Sequence, residues 1–401
     1  MGLIDDLRYF WTLWQWKRRA HHRQHIRIKI GNLPDFFRQL NDDGVKYVVL
    51  RWFERIPLTP DDEKIFVRRG GDVDILADAD DLLKVCRAVA THPGKIKLDL
   101  FSNCLVLGTD IKRFTYFPSV LSNELLDSRI LDERGVFYRP DDRRYLYSLA
   151  YHMVYQKGLA SGFPTGFDNL AQAEKESDRH DPEGTLRMLA DAVGEKLPTN
   201  FNLFQLHLWL KERGWNMPLD LLLRWPKQHP FLEHLYQYES AKLRQALEGR
   251  QNLCVYLLRE DAITSNAVER IIEELRTHYR ILDIVDFTPE QKDRIIRRTR
   301  GGNWTKRKKT RLFLPEKAVV CQALVPFEPM DDAKVSSSIQ EKSNPDHQFK
   351  CEMRKKLSAE FPEAADFLHG SDNDIESMEY IQAIYGDDGW QAKWAEFFPE
   401  K

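Results

Sequence analysis

Apolar side chains recur at Leu3, Ile4, Leu7, Phe10, Trp11 and Trp14, the spacing of one helical face, and the stretch then turns cationic at Lys17, Arg18, Arg19, His21, His22, Arg23 and His25. Residues 1–30 are expected to form an amphipathic aromatic and basic helix. Such a stripe packs on the protein's own core or on a partner, or it lies in a membrane interface with its cations on anionic lipid. Asp5 and Asp6 interrupt the basic character and favour the packed arrangement. Pro34 opens a helix over residues 34–41, Gly44 closes it, and Tyr47–Leu50 reads as a strand. Residues 57–70 are polar and rich in turn formers. Alternation marks a strand around Asp72–Leu76, Asp80–Ala90 reads as a helix, and Lys95–Phe101 as a further strand. Cys104–Leu107 and Ile111–Phe117, joined by Gly108-Thr109-Asp110, are expected to form a hairpin.

Beyond residue 120 the pattern changes to helical spacing, strongest over Arg143–Lys157 and Asn202–Arg213. His152, Tyr155 and Gln156 fall at helical spacing; they line an acceptor cleft or form core around a satisfied histidine. Gly158–Gly166, with Asp168 beyond, is the best candidate for a lid. From residue 251 strands return. Leu253–Leu258, Ile281–Val285 and Ala318–Leu324 are expected strands, and Asn266–Tyr279 is an expected helix, the pattern of an α/β sandwich. The expected organisation is an N-terminal helix (1–30), an α/β core (31–120), a helical accessory lobe that binds the acceptor (121–250) and an α/β domain (251–401).

With 401 residues, 42% of them hydrophobic and 30% charged, the chain can bury sizeable cores in two or three domains. A net charge of -2 provides no global field for nucleic acid. Five scattered cysteines argue against a disulfide framework or a zinc site and suit a reducing cytoplasm. No stretch approaches the roughly 20 apolar residues of a membrane span, and the first residues lack the plan of a secretory leader. The expected location is cytoplasmic, with peripheral membrane or partner contact through residues 3–25.

The chemistry concentrates at Arg69-Gly70-Gly71-Asp72-Val73-Asp74-Ile75-Leu76. On a strand, Asp72 and Asp74 project to one face while Val73 and Ile75 face the other. Two like charges so close call for a cation, and oxygen-rich sites suit Mg²⁺ or Mn²⁺ bridging to a triphosphate. Gly70 and Gly71 permit phosphate to approach the backbone. Asp99 adds a third carboxylate in mid-strand between Leu98 and Leu100, where apolar side chains are expected. Farther on, Arg294–Arg311 is dense in cations around Gly301-Gly302-Asn303-Trp304, which suits phosphate or a solvated face.

The order helix, strand, Gly-Gly-Asp-Val-Asp-Ile-Leu, helix and Leu-Asp-Leu strand, over residues 33–120, resembles the catalytic core of the polymerase-beta-type nucleotidyltransferase superfamily. The resemblance implies that Asp72, Asp74 and Asp99 hold two metal ions and an NTP, with Asp99 also helping to activate the acceptor. Where the family has Gly-Ser after its first strand, this chain has Leu50-Arg51-Trp52, so Arg51 is expected to take over phosphate binding.

Residues 251 to about 385 resemble nucleoside diphosphate kinase, a ferredoxin-like α/β sandwich. The resemblance rests on His369-Gly370-Ser371-Asp372, on Arg259-Glu260-Asp261-Ala262 after the first strand, on Ser343-Asn344-Pro345, and on Arg354 at the position of a phosphate-binding arginine. It implies that His369 is a phosphate acceptor, that Arg259, Ser343, Arg354 and Ser371 contact nucleotide, and that copies associate through this domain. Four positions depart from the family. Arg259 replaces a lysine, Ser337 an arginine, Asp366 an asparagine, and Ile381 the glutamate that orients the histidine. The whole is expected to be a multidomain α+β and α/β nucleotidyltransferase that moves an NMP onto a hydroxyl of a sugar, small molecule, protein or RNA. Its C-terminal domain binds nucleotide. The alternatives are a nucleotide sensor with decayed sites, or an active kinase using His369.

Overall fold

The computed structural model describes residues 3–22, 24–112, 114–170, 180–227, 229–247, 249–304, 314–326, 345–362, 364 and 366–399. The mixed α and β character expected from the sequence is borne out. The chain parts into two units, one running up to Asn216 and one starting at Met217. Residues 217–250, assigned by sequence to the end of the helical lobe, therefore lie in the second unit.

The first unit is built on a four-stranded sheet of β1 (Ile28–Ile30), β2 (Tyr47–Val49), β3 (Asp72–Ala77) and β4 (Ile96–Ser102), in spatial order β1-β4-β3-β2. β3 and β4 run parallel and the other two pairs antiparallel. Alternation decides which face is apolar. Val73, Ile75, Leu98 and Leu100 point into a core shared with Phe36, Phe37 and Leu40 of α2 (Leu33–Asp42) and Val85, Cys86 and Val89 of α4 (Leu82–Thr91). Each such side chain contributes about 1.5–3 kcal/mol by leaving water. A one-residue slip would bury the aspartates instead, so the core fixes the register that groups the carboxylates.

Several expectations are corrected. Residues 57–70 contain a helix, α3 (Pro60–Arg68), which starts where the Thr59 hydroxyl accepts from the Asp62 amide, with Pro60 in the first turn. Among the described residues of 104–117 no hairpin forms; one bridge joins Ile111 and Phe114. The segment's hydrogen bonds close locally instead: the Ser102 hydroxyl donates to the Cys104 carbonyl, and the Thr109 hydroxyl to the Val106 carbonyl. Gly158–Gly166 is no lid. Phe163 and Thr165 are buried, and the Ser161 hydroxyl ties back to the Gly158 carbonyl. α1 (Leu3–His21) packs on α4 through Tyr9, Leu13 and Trp16, not through the expected stripe, and Arg87 sits 4.8 Å over the Tyr9 ring.

The first unit also carries an antiparallel pair, β5 (Arg129–Leu131) and β6 (Tyr138–Pro140), and the second holds a sheet of β7 (Leu253–Arg259), β8 (Tyr279–Asp286), β9 (Pro315–Ala323) and β10 (Leu368–Gly370), in order β10-β7-β9-β8 with every neighbour antiparallel. Ile271, Ile272 and Leu275 of the helix Val268–Arg276, and Phe349, Met353 and Leu357 of Pro345–Glu360, cover one face.

Candidate active site

Parallel pairing of β3 with β4 sets Asp74 opposite Asp99 and Asp72 opposite Lys97. The three carboxylates meet on the face turned away from the core, with ligand oxygens all within 4.8 Å of one another. Asp74 is buried, Asp99 half-buried and Asp72 exposed. Two cations reach into the cluster: the Arg51 guanidinium lies 2.9 Å from Asp74, and the Lys97 ammonium 2.6 Å from Asp99 and 3.5 Å from Asp72. Lys97 is largely exposed, so its pairs contribute at most about 1 kcal/mol. Arg51 and Asp74 each keep only 11% of their side chain in water, so removing one would strand the other.

Burial raises the Asp74 carboxyl, Arg51 opposes the rise, and Asp72 and Asp99 add to it, leaving Asp74 pushed up to about 6. Burial works against the Arg51 charge, yet Asp74 and Tyr116 hold it protonated, above its ordinary value. The Arg51 guanidinium lies 5.4 Å from the centre of the Tyr116 ring, whose hydroxyl meets His152 Nδ1 at 2.9 Å. His152 also contacts Gln156 Oε1 at 2.7 Å, and Gln156 donates to the Tyr116 carbonyl. His152 and Gln156 are therefore satisfied core behind Arg51, while Tyr155 bonds His207 at 2.8 Å. None of the three lines an acceptor cleft.

A cleft of about 1130 Å³ opens beside the cluster and reaches Asp72, Asp74, Gly70 and Gly71. Arg51, Arg55, Arg68 and Arg69 line it, facing Trp52 and His180, whose rings stack at 4.1 Å. Trp52 holds φ 54, a left-handed conformation that a bulky side chain seldom adopts. Gly70 turns the chain out of α3 at φ 67, and a Cβ on Gly71 would lie 2.6 Å from the Phe66 ring. Both glycines are thus required by the turn itself. Arg51 is committed to Asp74, whereas Arg68 and Arg69 make no ion pair among the described residues and are the exposed cations next to the glycines. An all-oxygen donor set this close, around a carboxyl raised by burial and then by its like-charged neighbours, fits a hard divalent cation.

In the second unit, β10 pairs His369 with Leu257, and His369 Nε2 meets the Tyr380 hydroxyl at 2.9 Å. Tyr380 in turn contacts Glu376 Oε1 at 2.7 Å, which links the imidazole to a buried carboxyl. Burial, then Lys350 and Arg300, hold the imidazole well below its ordinary value and therefore neutral. Ile381 has no polar group to offer the imidazole, and Tyr380 backed by Glu376 makes the contact instead. Tyr380 lies one position before Ile381 and could have been found by stepping around that helix.

Arg259 is 1% exposed, with Nη1 2.9 Å from Asp366 but without hydrogen-bond alignment, and Nε without an acceptor among the described residues. Burial and Arg300 bring its pKa down to about 9 despite Asp366. Arg354 donates from Nε and Nη2 to the Leu368 carbonyl, at 3.1 and 2.7 Å. Ser371 is buried, accepts from the Val255 amide and lies 2.8 Å from the Ser377 hydroxyl, so it pins β10 to the sheet and presents nothing to a ligand. Of the basic segment, Arg297 pairs with Asp293, and Arg298 with Glu379 and Asp387, not with phosphate. Ser337 and Ser343 lie outside the described residues.

No protein-family model matches this chain, and neither curated proteins nor solved structures give a significant match to it.

Proposed function

We propose that the first unit is a divalent-metal-dependent nucleotidyltransferase that moves a nucleoside monophosphate from an NTP to a hydroxyl acceptor. The observation that carries this reading is the meeting of Asp72, Asp74 and Asp99 at one edge of a cleft large enough for a nucleotide. Mg²⁺ or Mn²⁺ held by the three carboxylates would supply the positive charge that lets a triphosphate come beside them. Arg68 and Arg69 offer further charge to the phosphates, and Trp52 offers a flat ring to a base. Arg51 balances Asp74 whenever that charge is absent. The acceptor is a sugar, a small molecule, a protein or RNA, with long RNA disfavoured by the net charge of -2. Incubation with α-labelled NTPs, Mg²⁺ and a cell extract should label an acceptor. Asp72→Asn combined with Asp74→Asn should lower that labelling about a thousandfold or more. Failure of every NTP would end the proposal.

For the second unit the reading is an anion-binding module of ferredoxin-like build. The strand order β10-β7-β9-β8 supports it, with the helix Pro289–Arg298 added between the second and third strands of the usual chain order. A buried, under-bonded Arg259 close to Arg300 and His369 supports a phosphate-bearing ligand. Asp366 against Arg259, and the use of Arg354 on a carbonyl, weigh against phosphate transfer. A second reading, a nucleotide-binding protein without turnover, is favoured by the internal pairing of Asp74 and Asp99 with Arg51 and Lys97. Calorimetry separates the two, since NTP binding that ignores Mg²⁺ belongs to a sensor.

A further inference from the structure

The stripe expected to pack inward faces water. Ile4, Leu7, Phe10, Trp11 and Trp14 are each 50–65% exposed, while the opposite side of α1 holds Trp16 at 2%. Because Tyr9, Leu13 and Trp16 seat the helix on the first unit, it cannot roll its outer face inward without losing that packing. At 100° per residue, Asp5 and Asp6 fall away from the stripe, and both are half-buried. The exposed residues of α1 are then Ile4, Leu7, Arg8, Phe10, Trp11, Trp14, Gln15, Lys17, Arg18 and His21, with His22 following, and no carboxylate is among them. Trp11 and Trp14 stack at 5.1 Å, and Arg18 lies 5.5 Å from the Trp14 ring, beside a hollow of about 610 Å³ that also touches Arg19 and His22.

We propose that α1 is an interfacial anchor that lies flat on an anionic phospholipid bilayer, its apolar stripe in the headgroup layer and Lys17 and Arg18 against lipid phosphate or carboxylate. A 19-residue helix gives a footprint ~28 Å long. Charge decides the occupant: a second copy would bring the same cations and no exposed carboxylate to meet them, whereas an anionic surface complements both halves of the face. No described helix is long and apolar enough to cross a membrane, so the contact is one of lying on the surface.

The test is co-sedimentation of the full chain with vesicles of phosphatidylcholine alone and of equal parts phosphatidylcholine and phosphatidylserine. Binding should favour the anionic vesicles about tenfold or more and weaken with salt. Trp11→Ser with Trp14→Ser, and separately Lys17→Glu with Arg18→Glu, should each lower it at least about tenfold. Both pairs are exposed, and unchanged thermal unfolding would show that the fold persists. The proposal is overturned if the chain ignores anionic vesicles, or if neither pair alters binding. It is equally overturned if light scattering finds a dimer that the tryptophan variant dissolves while vesicle binding is absent, which would make a second copy the occupant.

Discussion

The two units bury charge of opposite sign. In the first, burial raises the Asp74 carboxyl to about 6, against the pull of Arg51 and with a further push from the two carboxylates that share its face. In the second, burial and then Arg300 lower the Arg259 guanidinium to about 9, although Asp366 lies 2.9 Å away. Each unit buries a charge beside an internal partner, and the ligands proposed for them carry the opposite sign: a metal ion for the first, a phosphate for the second. The means of coping without a ligand differ as well. The first relies on two ion pairs, Arg51–Asp74 and Lys97–Asp99, the second on keeping His369 neutral and wiring it to Tyr380 and Glu376.

Removing Arg51 should sharpen the contrast most. Arg51→Ala strands a buried carboxylate, so metal-free protein should lose about 3 kcal/mol of stability. Saturating Mn²⁺ should return much of that loss, because the metal replaces the missing charge. Equal Mn²⁺ stabilisation of variant and parent in denaturant melts would break the comparison.

A smaller effect is expected at Glu376. Burial, Asp372 and Asp220 push its carboxyl up to about 8, above the ordinary 4.5. A raised acid favours the folded state while protonated, so its contribution is full below about pH 4.5 and is lost as pH rises through 8. Glu376→Gln should flatten the stability profile, by about 2 kcal/mol between pH 6 and 8. A slope that survives the substitution would mean that another group carries it.

Metal affinity should follow the same reasoning at Asp74. Its raised value means that protons compete with metal, and that its own contribution to folding fades between pH 3.8 and about 6. Mn²⁺ binding should weaken about tenfold per unit below pH 6 and level off above it. Titration by paramagnetic relaxation would show this, and a flat profile would place the metal elsewhere. The smallest effect belongs to His369→Ala, which should leave nucleotidyl transfer within about twofold and yield no loss of an acid-labile phosphoenzyme, since none should form with γ-labelled ATP. A phosphoenzyme that NDP discharges would make the second unit a kinase.

Strand alternation revealed the acidic face because the pattern is local: Val73, Ile75, Leu98 and Leu100 pack one way, and Asp72, Asp74 and Asp99 must go the other. What alternation cannot show is which distant side chain arrives. Tyr116 and His152 come from far along the chain to back Arg51; helical spacing marks His152 but does not name its partner, and nothing marks Tyr116. α1 misled for a different reason, since Tyr9, Leu13 and Trp16 give it a second apolar face, and periodicity does not say which face a core will choose. α3 was legible. Thr59-Pro60-Asp61-Asp62 is a helix start with Pro in the first turn, but it was outweighed by the polarity of its surroundings.

The ordering of the charges along the chain has a consequence for how the protein is made. Arg51 precedes Asp72 and Asp74, Lys97 precedes Asp99 by two residues, and the sheet is complete at Ser102. As the nascent chain emerges, each buried or half-buried carboxylate follows the cation that pairs with it, so the three acids are never assembled without counter-charge. The sheet thus carries its own counter-charges in Arg51 and Lys97, and chelation of divalent metal should leave the chain folded.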